Sequence, residues 1–100
     1  MFLHVDDVVY EGGYRLRVTF NDGTIKEVDL DEELSGPVFE PLRDVQFFRK
    51  VRLNQDTGTI EWANGADFAP EFLSDIGTTV GATLTRKVAE DQAEYGGSKV

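Results

Sequence analysis

The stretch Tyr14–Leu30 constrains this chain more tightly than any other, because only one strand pairing satisfies it. Tyr14, Leu16, Val18 and Phe20 alternate with Arg15, Arg17 and Thr19, the period-2 pattern of a half-buried strand. Asn21-Asp22-Gly23 then turns the chain. A two-residue loop at Asp22-Gly23 would set Leu16 against Asp29 and Arg17 against Val28, mixing the faces. A three-residue loop with Gly23 in the left-handed region pairs Leu16 with Val28 and Tyr14 with Leu30, and places Arg17 opposite Glu27 and Arg15 opposite Asp29. Both faces are consistent only in that register. Each exposed charge pair contributes about 0.2–1 kcal/mol, so its value is as a marker of register.

Phe47–Ala63 answers to the same test. A four-residue loop Gln55-Asp56-Thr57-Gly58 pairs Leu53 with Ile60 and Val51 with Trp62, while Arg52 meets Glu61. A slip by one residue would put Leu53 against Glu61. Gly58 is expected to take the positive φ that other residues resist. This reading makes Phe47–Leu53 a strand, with Trp62 facing the core beside Val51 and Phe47.

Around the hairpins, residues 3–10 read as a first strand rich in β-branched and aromatic residues, ended by a turn at Glu11-Gly12-Gly13. The connection Asp31–Asp44 holds Gly36, Pro37 and Pro41, with helical turns predicted at Asp31–Leu34 and Glu40–Arg43. Ala63-Asn64-Gly65 is a turn. Pro70–Ile76 reads as a short helix, with Pro70 in its first position, Glu71 near the positive end of the dipole and Gly77 as terminator. Phe72, Leu73 and Ile76 can cover one face of a sheet. Thr78–Thr85 alternates weakly, as an edge strand would; Val88–Tyr95 has helix-forming residues but a sparse apolar stripe, and Gly96-Gly97-Ser98 reads as a frayed end. The expected fold is α+β: an antiparallel sheet of four to five strands built from hairpins, with one or two short helices on one face. Residues 1–77 form the single domain and 78–100 a C-terminal extension, partly ordered or disordered.

With 100 residues there is room for one core, and 40% hydrophobic content is enough to fill it. The absence of cysteine excludes disulfides and thiolate metal sites. The start of the chain lacks the basic and apolar regions of a signal peptide, and no apolar run approaches the roughly 20 residues that span a bilayer, so a cytoplasmic location is expected. The net charge of −9 argues against binding nucleic acid through its phosphates and favours a basic partner. Its distribution is uneven: residues 1–40 carry net −7, residues 41–53 net +3 and residues 54–100 net −5.

Candidate chemistry is sparse. His4, the only histidine, shares a strand face with Asp6, but a general base needs a nucleophile as well, and a structural or surface role is the better account. The acidic run Asp29, Asp31, Glu32, Glu33 lacks the spacing of a calcium loop and reads as a solvated strand end. Glycines fall in turns, and Ser35, Ser74 and Ser98 in no nucleophile context. Arg15, Arg17, Lys50 and Arg52 would make a basic stripe if their strands shared a sheet, although Glu27, Asp29 and Glu61 stand opposite. No catalytic residue, metal ligand or cofactor site is assigned. Trp62, Asn64, Asp67, Phe68 and Phe72 form the one candidate contact group. Asp67 is expected to bond amides at the start of the 70–76 helix and Asn64 to make the turn, a structural corner. The other reading is a shallow ligand or peptide contact.

Two stretches carry a resemblance: Tyr14-Arg15-Leu16-Arg17-Val18-Thr19-Phe20-Asn21-Asp22-Gly23 running into Val28-Asp29-Leu30, and Gly58-Thr59-Ile60-Glu61-Trp62-Ala63-Asn64-Gly65-Ala66-Asp67-Phe68-Ala69-Pro70-Glu71. With Phe39–Leu42 and Phe47–Leu53 between them, residues 4–76 resemble the small bacterial family called domain of unknown function 2442. The tryptophan followed by Asn-Gly-Ala-Asp is the most specific part. The resemblance implies a compact α+β fold, preceding a helix-turn-helix segment in some relatives, and neighbourhood with a second small protein in the manner of a toxin–antitoxin pair. It supplies no catalytic residues. Residues 78–100 lack two adequate helices around a turn, against a direct DNA-binding role. The expected function is therefore a non-enzymatic interaction module, the antitoxin-like or regulatory partner in a small bacterial protein pair. The alternative is a small-molecule-sensing domain related to ones fused to helix-turn-helix regulators. Homodimerisation through an unpaired edge strand is compatible with either.

Overall fold

The computed structural model describes residues 2–82. Its strands are β1 (Val5–Gly12), β2 (Arg15–Phe20), β3 (Thr24–Asp29), β4 (Arg52–Asn54), β5 (Thr59–Glu61) and β6 (Thr78–Ala82); its helices are α1 (Val45–Phe48) and α2 (Pro70–Ile76). Single turns of 3-10 helix occupy Asp31–Glu33 and Glu40–Arg43. The fold is α+β. An antiparallel sheet in the order β1-β2-β3-β6 stands beside a two-stranded ribbon, β4-β5.

Both hairpins adopt the expected registers. Leu16 pairs with Val28, Arg17 with Glu27 and Arg15 with Asp29. Leu53 pairs with Ile60 and Arg52 with Glu61. Gly23 and Gly58 turn the two loops at φ 88° and 74°. At Gly58 a second constraint applies: an added Cβ would lie 2.8 Å from the Cβ of His4, so the site excludes a side chain on space as well as on backbone conformation.

The strand expected over Phe47–Leu53 is shortened. Asp44 caps a helical turn, its Oδ1 accepting from the Gln46 amide at 3.0 Å, and Val45–Phe48 is α1. Extended pairing begins only at Arg52. The helical turn replaces period 2, so Phe48 is fully buried while Phe47 is only partly so. Trp62 meets the core as expected, but its neighbour is Phe48, with ring centroids 5.5 Å apart.

β6, within the segment read as an edge strand, pairs with β3 and completes the larger sheet. Its position places the sheet boundary beyond residue 77; the readings of Val88–Tyr95 and Gly96-Gly97-Ser98 lie outside the described residues. The inner face of the sheet supplies Leu16, Val18, Phe20 and Val28, and Phe48, Ile60, Trp62 and Leu73 close over it, all at 1% exposure or less. The ribbon is tied to β1 by the Val5 amide, which donates to the Gly58 carbonyl at 2.8 Å.

Candidate functional site

The corner after β5 is built around the carbonyl and ring of Trp62. The Gly65 amide donates to the Trp62 carbonyl at 2.9 Å, and the Trp62 amide to Ala66 O at 2.9 Å, closing the turn. Gly65 takes φ 92°. The indole Nε1–H donates to Phe48 O at 2.8 Å, so the one polar atom of the buried ring and a carbonyl at the end of α1 satisfy each other. Asn64 does two jobs: its Oδ1 accepts from the Ala66 amide at 3.1 Å, and its Nδ2 donates to Val38 O at 2.9 Å, joining the corner to the loop before Glu40.

The five singled-out residues divide. Trp62 and Phe68 are core, at 1% and 8% exposure. Phe68 is sandwiched between Phe39 and Phe72, with centroids at 4.8 and 5.6 Å, so the aromatic group is a packed stack. Asn64 and Asp67 stand on the surface. Asp67 does not cap α2. Ala69 holds the cap position without a side-chain bond, and Asp67 instead bridges to Glu61 through its backbone. Pro70 removes one of the amides that a cap would satisfy, and with it part of the reason for a capping carboxylate.

His4 Nε2 lies 4.0 Å from Asp6 Oδ1, both about half exposed. The His4 amide donates to Asn21 Oδ1 at 2.9 Å and its carbonyl accepts from the Asn21 amide at 2.9 Å, so the backbone here fastens β1 to the first hairpin loop. The basic stripe does not form, because β2 and β4 lie in different sheets and Lys50 precedes β4. Arg17 turns away from Glu27 to pair with Glu11 at 3.0 Å, Arg52 pairs with Glu61 at 2.9 Å, and Arg43 pairs with Asp31 at 2.8 Å. Lys26 Nζ donates to Ser74 O at 2.6 Å, fixing α2 on β3.

Asn54 was not distinguished in the sequence. Its Oδ1 accepts from the amide of Asp56 at 2.9 Å, and its Nδ2 donates to Glu61 at 2.9 Å. That bond and, after it, the Arg52 guanidinium hold the Glu61 carboxyl below the usual glutamate range. An asparagine at the start of a loop ending in Thr-Gly is the available signal. Periodicity places Tyr14 on the apolar face of its strand, yet its hydroxyl donates to the Arg43 carbonyl and the Arg43 guanidinium covers its ring at 4.9 Å.

The acidic run gathers at one end of the sheet. Asp29, Asp31, Glu32 and Glu33, with Ile76, line an open depression of roughly 340 Å³. Asp29 Oδ1 accepts from the Asp31 amide at 3.0 Å, so part of the cluster shapes its own turn. Among the described residues no group of His, Cys, Asp or Glu is arranged to hold a metal ion. Nor, among the described residues, is any helix long and apolar enough to cross a membrane. The profile of a family described as protein of unknown function (DUF2442) matches residues 5–78. No curated protein and no solved structure matches the chain.

Proposed function

The chain belongs to the DUF2442 family of proteins of unknown function, and from that premise we propose that it is a non-enzymatic protein-interaction module. Its role is that of the regulatory, antitoxin-like member of a small bacterial protein pair, acting in the cytoplasm on a basic protein partner. The observation that carries this reading is the use of the cations. Arg17, Arg43 and Arg52 are held by Glu11, Asp31 and Glu61, and Lys26 by a backbone carbonyl. Four of the seven Lys and Arg among the described residues are so engaged, on a chain whose net charge is −9. Such a field draws in a basic protein and suppresses acidic competitors. The buried Trp62 and Phe68 support contact through surface and edge in place of a lined pocket.

Co-purification from the native host at low ionic strength is the test. The expected result is a basic protein, encoded beside this one, that is retained at low salt and released by high salt. Recovery of free chain alone, with no binding by the product of a neighbouring reading frame, overturns the proposal.

A further inference from the structure

The two outer strands of the larger sheet are guarded very differently. β1 carries Asp6, Asp7 and Glu11, has register shifts at Val5/Asp7 and Tyr10/Gly12, and is joined to the ribbon through Val5. Charges, bulges and cover are the devices that keep an edge from recruiting another strand. β6 has neither charge nor proline: it reads Thr78-Thr79-Val80-Gly81-Ala82. Among the described residues no strand lies beyond it. Its one irregularity is the bulged Val80, which leaves Thr78 and Thr79 flush with Glu27 and Lys26 of β3.

The same end of β6 adjoins the acidic depression. Thr78 is level with Glu27, so Asp29 lies two residues further along β3, about 7 Å past the start of β6. Ile76, two residues before Thr78, forms the wall of the depression and is 37% exposed. Of the four carboxylates there, Asp31 has Arg43 as its partner.

We propose that β6 and this depression form one docking track, on which an extended segment of the partner adds as a strand along Thr78–Val80 and sets a terminal Lys or Arg among Asp29, Glu32 and Glu33. The inference rests on the interaction-module reading and names its mode. Main-chain bonds along the edge supply affinity, and the cation with its aliphatic stem, lying on Ile76, supplies selectivity. A second copy of this chain is the poorer occupant, since it would bring another charge of −9 to the same place. In the antiparallel orientation the cation belongs at the C-terminal end of the added segment.

The probe is an alternating Thr/Val peptide ending in two lysines, with a glutamate-ended peptide as control, titrated onto the full chain by NMR. The expected result is protection and shift of the Thr78–Val80 amides by the lysine peptide only, declining with salt. The Glu32→Gln, Glu33→Gln double variant, which removes the exposed carboxylate of Glu32 and the partly buried one of Glu33, weakens that binding roughly 3- to 10-fold. Val80→Lys, at a half-exposed position, abolishes it. Equal binding of the two peptides, or no loss in the double variant, overturns the track. Concentration-dependent dimerisation that protects the same amides overturns it in favour of a second copy. If the native partner binds Val80→Lys and the parent chain alike, the track is wrong while the interaction module stands; if no native partner exists, the broader proposal fails first.

Discussion

Asn64 joins two segments far apart in the chain with a single amide group. Its Oδ1 holds the turn through Ala66 and its Nδ2 holds Val38 O, across 26 residues. Replacing it with alanine removes both bonds and leaves the surroundings in place. Asn64→Ala should lower stability by about 1–2 kcal/mol in urea unfolding. An unchanged midpoint would mean that water replaces the amide at no cost. Glu61 gives a prediction in pH. Asn54 and Arg52 both favour its ionised form, so its carboxyl titrates lower in the folded chain than in the unfolded one. The stability it contributes is complete above the ordinary glutamate range and is lost as pH falls through the lowered folded value. Acid unfolding of Glu61→Gln should therefore be less steep in that window than that of the parent. Parallel curves for the two would exclude the linkage. Asn64 was legible as a turn former from its place before Gly65. Its reach to Val38 was not, since nothing local to the sequence states which loop comes near.

α1 shows how one cap redirects a segment. Val45, Phe47 and Val51 suit a strand by composition, and the period-2 pattern back from Leu53 supports one. Asp44 decides otherwise by accepting from the Gln46 amide, and the helical turn then presents Phe48 to the core. The end of α1 supplies the carbonyl that accepts from Trp62 Nε1. Asp44→Ala should cost about 1 kcal/mol and loosen that contact. Trp62 is the only tryptophan, so its fluorescence reports directly: the expected change is an earlier urea midpoint and a native emission moved toward the red. A variant with both unaltered would show that packing alone holds α1. α2 was legible end to end, because proline, apolar spacing and glycine mark it without help from elsewhere.

For the molecule as a whole, like charge is an unrelieved cost. The net charge of −9 on 100 residues opposes compaction, and the ion pairs formed do not cancel it. Raising sodium chloride from low to moderate ionic strength should raise the melting temperature, as screening weakens long-range repulsion more than the short pairs. A falling melting temperature would place more of the stability in Arg17–Glu11, Arg43–Asp31 and Arg52–Glu61 than exposed pairs ordinarily provide. The split of the strands into a sheet and a ribbon belongs to this scale as well, and it separates Arg15 and Arg17 from Arg52. What the residues alone determined was everything governed by neighbours in the chain: both hairpin registers, fixed by alternation and glycine, the two 3-10 turns, and α2. Only the folded chain decided that Phe48 is the core aromatic of its segment, that Asp67 leaves α2 uncapped, that Asn64 fastens Val38, and that β6 comes to lie beside β3. Those depend on which surfaces meet across long stretches of chain, and periodicity records which side of a strand is buried without recording what buries it.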